Sequence, residues 1–404
     1  MRLLLALSMT LACWAGAGAT ARPSVELPVA TDARLEQAGD VVRLTMALSQ
    51  PVPIETSVIA GPDRIIVDLP SVNFQVQPGA ARKSAGFVSA FRFGLFTAEK
   101  ARIIIDLSHP ALVVKAEMRQ RRGGFGELVV EMKRASRSEF QAAAGRAGQH
   151  KVEAANVATG AAKLVADPRQ LVVIDPGHGG IDPGAVVAAI AEKSVVLAFG
   201  MRLKESLEAT GRYRVVMTRD DDRFVSLGDR VKIARAAGAD LFVSIHADSL
   251  TQSQEVRGAT VYTASERATD AESARLAAKE NQADAVGGLE TAEEVQDVAG
   301  ILMDLAKRET RTFSSVFARN LVEKLGASVK MHKVPLRSAG FKVLGAPDVP
   351  SVLIELGYMS SPRDAELLNS EAWRRQAVSA VGAAIEDYFV RERTPAGRAA
   401  QNRQ

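Results

Sequence analysis

The chain has 404 residues, 47% hydrophobic and 24% charged. That is enough for two domains with packed cores and excludes wholesale disorder. The net charge of +4, with no basic helix or aromatic-interleaved basic patch, gives no ground for a nucleic-acid partner and suits other anionic polymers equally well. The single cysteine, Cys13, falls in an N-terminal leader, so the mature chain would have no disulfide, cysteine metal ligand or cysteine nucleophile.

Met1-Arg2, the apolar run Leu3–Trp14 and the small residues ending at Ala17, Ala19 and Ala21 read as a secretory signal peptide over 1–21, cleaved after Ala19 or Ala21. The apolar run is too short for an ordinary membrane span. No later segment reads as one, so no transmembrane anchor is expected after cleavage. Residues 24–135 alternate apolar and polar with period two, as in Leu44-Met46-Leu48, Phe91-Phe93-Leu95 and Leu128-Val130-Met132, which predicts a small all-β sandwich. Within it Arg64-Ile-Ile-Val-Asp-Leu69 is echoed by Arg102-Ile-Ile-Ile-Asp-Leu107. Two similar half-sheets packed face to face would explain the echo, and so would the few residue types that strands draw on. His109, before Pro110, reads as a turn residue. Residues 136–168 are Ala-, Gly- and Ser-rich and read as a linker, helical at most in part. His150 within it reads as solvated.

From 169 to 392 strand and helix patterns alternate, which predicts an α/β domain: a mixed, largely parallel sheet flanked by helices. Leu171-Val-Val-Ile174 is an apolar strand ending in Asp175-Pro-Gly-His178-Gly-Gly, and ligands gather beyond the carboxyl ends of such strands. The stretch Ala264–Thr312 interrupts the alternation with Ala and Glu, an acidic turn (Gly287-Gly-Leu-Glu290, then Glu293-Glu294) and an apolar stripe over Val295–Leu305. It could lie across a nearby site or only pad the fold. Residues 393–404 are polar and basic and read as a disordered tail.

Without cysteine, a metal must be held by imidazole and carboxylate. His178 and His246 (in Ser244-Ile-His-Ala-Asp248) both follow apolar strands, and Glu192 opens the helix after the His178 loop. Three such donors and one open position make a hydrolytic zinc site. Alone, Glu192 reads equally as a carboxylate favoured by the helix dipole, and each histidine as structural. Asp175 and Asp248 stand near enough in sequence to orient an imidazole. Glu355 interrupts the apolar strand Ser351–Leu356. A carboxylate buried there is costly without a role, and its raised proton affinity suits a general base. His332 reads as a surface or substrate-facing residue.

These motifs in this order (DPGHGG, Glu192, SIHAD and PSVLIELGYMS) resemble the zinc-dependent N-acetylmuramoyl-L-alanine amidases of bacterial cell division. The β-rich region before them is similar to the AMIN domain of periplasmic members. The resemblance implies one zinc ion per catalytic domain, held by His178, Glu192 and His246, with Glu355 as the catalytic glutamate. It implies hydrolysis of the amide between N-acetylmuramic acid and L-alanine in peptidoglycan, a septal periplasmic location, and an AMIN domain that binds peptidoglycan. It further implies an inhibitory helix at Ala264–Thr312, displaced by a periplasmic activator with a degenerate metallopeptidase-like domain. Glu290, or else Glu293 or Glu294, is then expected to contact the zinc, and deleting Asp284–Asp304 to raise activity. Another zinc wall peptidase or deacetylase, or a non-catalytic wall-binding protein, are the alternatives that the residues leave open.

Overall fold

A computed structural model describes residues 27–76, 84–97, 99–147, 167, 169–188, 190–249, 256–289 and 301–393. The expected signal peptide, most of the expected linker, the tail from 394, and Glu290, Glu293 and Glu294 lie outside them.

The N-terminal part is an all-β sandwich. Its strands are β1 (Val29–Ala38), β2 (Val41–Leu48), β3 (Glu55–Ile59), β4 (Arg64–Pro70), β5 (Asn73–Phe74), β6 (Val88–Leu95), β7 (Lys100–Leu107), β8 (Ala111–Gln120) and β9 (Gly126–Arg134). They form two sheets, in the orders β5-β1-β2-β9-β8 and β3-β4-β7-β6. Alternate residues (Leu44, Met46, Val130 and Met132 from one sheet; Ile65, Val67, Ile103 and Ile105 from the other) meet in one core, as the period of two requires.

The two echoed segments are β4 and β7, antiparallel neighbours in one sheet rather than opposed half-sheets. Their register sets each arginine against the other strand's aspartate: Arg64 Nε donates to Asp106 at 2.9 Å and Arg102 Nε to Asp68 at 2.6 Å. The echo is thus a reciprocal cross-strand ion pairing.

The segment read as a linker, helical at most in part, opens on a helix that packs into the sandwich core. Helix α1 (Arg137–Ala147) opens with a reciprocal cap, in which Ser136 Oγ accepts from Glu139 N and Glu139 Oε2 accepts from Ser136 N. Its Phe140 is fully buried in the sandwich core. Phe140→Ala should cost about 3–5 kcal/mol, read as a lowered unfolding midpoint of the sandwich in denaturant.

The second part has β10 (Gln170–Pro176), a short hairpin β11 (Val186–Val187) and β12 (Ile190–Ala191), then α2 (Glu192–Glu208), β13 (Tyr213–Met217), α3 (Leu227–Ala237), β14 (Leu241–His246) and β15 (Ala259–Ala264). After these come α4 (Ala271–Glu280), α5 (Ala283–Val286), α6 (Ile301–Gly326), β16 (Met331–Ala339), β17 (Ser351–Glu355), α7 (Pro362–Asn369) and α8 (Glu371–Arg393). The sheet order is β13-β10-β14-β17-β15-β16. The first four strands are mutually parallel, while β15 runs antiparallel to β17 and parallel to β16.

One sheet face, with Val172, Ile174, Val243, Ile245 and Ile354, packs on α2, α6 and α8 through Phe199, Phe317 and Ile385. The other face, with Val173, Phe242, Tyr262 and Leu353, packs on α3 and α4 through Ala234, Leu276 and Ala277. Strands buried on both faces need continuous apolar runs, which β10, β14 and β17 supply. Among the described residues no helix is long and apolar enough to cross a membrane.

Candidate metal centre and active site

Three parallel neighbours, β10, β14 and β17, end level with one another: Asp175 pairs with Ser244, and His246 with Glu355. The loop after β10 carries His178, β14 ends in His246, and Glu192 is the first residue of α2. The fold thus brings together the sequence-predicted donors from three separate segments.

Glu192 Oε1 lies 3.2 Å from His178 Nε2 and 3.3 Å from His246 Nδ1. The three donor atoms all fall within 4.8 Å of one another. Both imidazole nitrogens are buried with no hydrogen-bond partner, and two orphaned lone pairs facing one carboxylate fit a shared cation. Burial disfavours charge on His178, yet Glu192, Asp182 and Glu280 together raise its pKa well above the usual value. The pocket therefore attracts positive charge.

Backbone donors fix Glu192, with Ala185 N on Oε2 at 2.9 Å and Ala247 N on Oε1 at 2.8 Å. Two glycines make the approach feasible. A Cβ on Gly177 would stand 2.4 Å from the His246 ring, and one on Gly184 would stand 2.6 Å from both Glu192 and His178.

The imidazole partner differs from both expected aspartates. His178 Nδ1 meets Asp182 Oδ2 at 2.9 Å, and Asp182 also accepts from Gly184 N. Asp182→Asn should weaken metal affinity roughly 10- to 100-fold, measured by chelator competition.

Asp175 instead accepts from Thr218, Ser244 and Arg230. It stands only three residues before His178, but period two turns its side chain into the sheet-face network. Asp248 pairs with Lys279, and its backbone N–H donates to Glu355 Oε2 at 3.0 Å. Two buried arginines, which sequence reasoning did not single out, brace the His178 loop by its carbonyls. Arg230 donates to Pro176 and His178, and Arg219 to Pro176, Gly177 and Lys193. Burial, and then Arg230, lower the Arg219 pKa to about 10.

Glu355 is fully buried and its Oε1 has no hydrogen-bond partner. Burial first, then Asp248, Glu192 and Glu280, raise its pKa well above the carboxylate range.

A second carboxylate reaches the triad. Glu280 Oε2 lies 3.2 Å from His246 Nδ1 and 3.5 Å from His178 Nε2. It is the last residue of α4, on the buried face with Ser273, Leu276 and Ala277. The cavity left beside His178, His246 and Glu280 is about 10 Å³, no more than one water needs.

Sequence reasoning expected this contact from Glu290, Glu293 or Glu294, which lie outside the described residues. The chain leading to them packs against the sandwich: Leu289 joins the cluster of Ile66, Phe96, Ile104, Ile181 and Phe224. His332 is half-buried against Arg337, and His109 pairs with Ser108.

Comparison with known proteins agrees with this architecture. The N-acetylmuramoyl-L-alanine amidase family matches residues 172–387, and the AMIN domain matches 32–124. The N-acetylmuramoyl-L-alanine amidase AmiC of Neisseria meningitidis is 32% identical over 382 residues, 91% of each chain. AmiC of Escherichia coli is 31% identical over 383 residues, 90% of each. Among solved structures, amidase AmiC2 of Nostoc punctiforme is 29% identical with a TM-score of 0.40, covering 55% of this chain and 97% of that one. Family match and full-length relatives coincide with the two folded parts, so the chain belongs to the N-acetylmuramoyl-L-alanine amidases that carry an AMIN domain, and it hydrolyses peptidoglycan.

Proposed function

We propose that this amidase is a zinc enzyme of the periplasm that splits septal peptidoglycan and rests in a blocked state. The observation that carries the metal assignment is the spacing of its donors. Ligands about 2.0–2.1 Å from a tetrahedral zinc ion stand roughly 3.3 Å from one another, and the Glu192–His178 and Glu192–His246 separations are 3.2 and 3.3 Å. Two imidazoles and a carboxylate, without sulfur, are the donor set of a hydrolytic site.

Zinc, when bound, supplies a Lewis acid that polarises the scissile carbonyl and makes water more acidic. The chain's own part is proton transfer and positioning. Water adds to the lactyl carbonyl carbon, and Glu355 takes its proton. Glu355 then delivers the proton to the amide nitrogen as the C–N bond breaks, leaving a carboxylic acid and a free L-alanine amine. Its raised proton affinity and its unpaired Oε1 suit both halves of that task. Asp248 N–H, on the other oxygen, holds the carboxyl in place.

The blocked state rests on Glu280, whose carboxylate lies 3.2 Å from His246 Nδ1 and 3.5 Å from His178 Nε2, and on the closed space around it. Lys279 pairs with Asp248 beside it and ties the end of α4 to the catalytic strands. A periplasmic activator would displace α4. The AmiC relatives and the AMIN domain favour periplasmic placement, with AMIN binding the wall.

The test is mass analysis of fragments released from purified peptidoglycan by the zinc-loaded chain. Intact stem peptides with a free L-alanine amine support the reading. Cleavage within the stem, or loss of acetyl groups alone, would replace it with a peptidase or deacetylase.

A further inference from the structure

Under α4 the sheet carries a polar strip that runs away from the triad. Thr260 pairs with Glu355 across β15–β17, and Tyr262 pairs with Arg337 across β15–β16. Residues 260 and 262 share a face, so Glu355, Thr260, Tyr262 and Arg337 lie along one surface. Two strand spacings and two residues put Glu355 and Arg337 about 12 Å apart.

Arg337 is 5% exposed, which is rare for an arginine without a dedicated partner. Its ion-pair partners are on the inhibitory segment, Glu272 Oε2 at 3.0 Å from Nη1 and Asp270 Oδ2 at 3.7 Å from Nε, and the Tyr262 side chain of β15 stands beside it. Within the strand it meets Val334 O and the His332 ring. Nη1 and Glu272 Oε1 are nonetheless buried without a directed hydrogen bond, as is Glu355 Oε1. A strip whose donors and acceptors stay imperfectly matched is a poor fit for α4 and a good one for another polar occupant.

Glu272 and Glu280 are separated by eight residues of α4, about 12 Å. The helix therefore sets one carboxylate at the triad and another at Arg337, over the span of three to four extended peptide residues.

We propose that Arg337 determines substrate specificity by binding a carboxylate on the peptide limb, three to four residues from the scissile amide. Glu272 and Asp270 hold that place in the resting chain. The inference rests on α4 being the blocking element.

The test uses the full chain carrying Glu280→Gln, with and without Arg337→Gln or Arg337→Lys. The substrates are a muramoyl-tetrapeptide with free stem carboxylates and the same molecule with them amidated. Losing a charged hydrogen bond to carboxylate should lower kcat/KM about tenfold or more on the free-acid substrate, chiefly through KM. Little change is expected on the amidated one, and lysine should restore part of the loss. Equal effects on both substrates, or none, would overturn the proposal and leave Arg337 as an anchor for α4. Zinc content and melting temperature identify any variant that fails to fold, and Arg337→Lys then carries the comparison. If Glu280→Gln itself fails to raise cleavage, the blocked-state reading falls. The two-substrate comparison in the parent chain then still decides the role of Arg337.

A separate observation carries a second inference. Arg92 Nη2 donates to Val286 O at 2.9 Å, Arg102 Nη1 to Gly287 O at 3.2 Å, and Arg64 to Ala285 O. Phe96 stacks on Phe224 at 5.8 Å. These carbonyls close α5, a few residues after Glu280. We infer that the sandwich clamps the inhibitory segment, so AMIN engagement and release of the site are linked. It too rests on the blocked-state reading. Arg92→Gln with Phe96→Ala in the full chain should raise basal cleavage several-fold. Unchanged cleavage in a folded variant, where Glu280→Gln does raise it, would overturn the clamp alone.

Discussion

Glutamine in place of Glu280 should raise the basal wall-cleaving rate of the full chain by roughly ten- to a hundredfold, the worth of one charged contact. Glu280 is isosteric with its replacement, so packing of Leu276 and Ala277 beneath α4 stays intact. What disappears is a negative charge 3.2 Å from His246 and 3.5 Å from His178. The blocked state loses its carboxylate, while the open state, in which α4 is displaced, loses nothing. A ligand group that favours one state shifts the equilibrium by its differential affinity only. The check is dye release from labelled peptidoglycan by parent and variant at equal zinc content. An unchanged rate would remove Glu280 from the account.

Glu355→Gln, made in the Glu280→Gln background so that the parent rate is high, should lower kcat by about 10²- to 10⁴-fold. Zinc content should not change, because Glu355 is not among the triad donors. Glutamine keeps the volume of the side chain and can still accept from Asp248 N–H, but it cannot take a proton from water. A fully buried carboxyl with one unpaired oxygen is costly to keep, which is itself an argument that the position serves chemistry rather than stability. The variant should therefore melt no lower than its parent. Cleavage at the parent rate would move proton transfer to another group.

Most of the site was legible because its chemistry interrupts strand patterns. His178, His246 and Glu355 each end an apolar run whose period fixes where the chain emerges, and parallel neighbours align those ends. The groups around them were less legible. Asp175 is closer to His178 in sequence than Asp182 is, yet only Asp182 lies on the imidazole side of the turn. Arg219 and Arg230 act on backbone carbonyls, which carry no sequence signal.

Glu280 was hidden among the acids of Ala264–Thr312. The sign that would have found it is a carboxylate on the apolar face of α4, in step with Ser273, Leu276 and Ala277. Helix α1 looked like linker because it offers few large apolar side chains. The pair Ser136 and Glu139 just ahead of Phe140 was its local signature. The echo between β4 and β7 needed register, since only pairing reveals that each arginine faces the other strand's aspartate.

The central claim is that His178, Glu192 and His246 hold one zinc ion. Zinc-edge anomalous diffraction from crystals of the full resting chain tests it most directly. The account predicts a single peak bonded by His178 Nε2, Glu192 Oε1, His246 Nδ1 and Glu280 Oε2. A peak elsewhere, or no peak at these three residues from zinc-saturated protein, would contradict it.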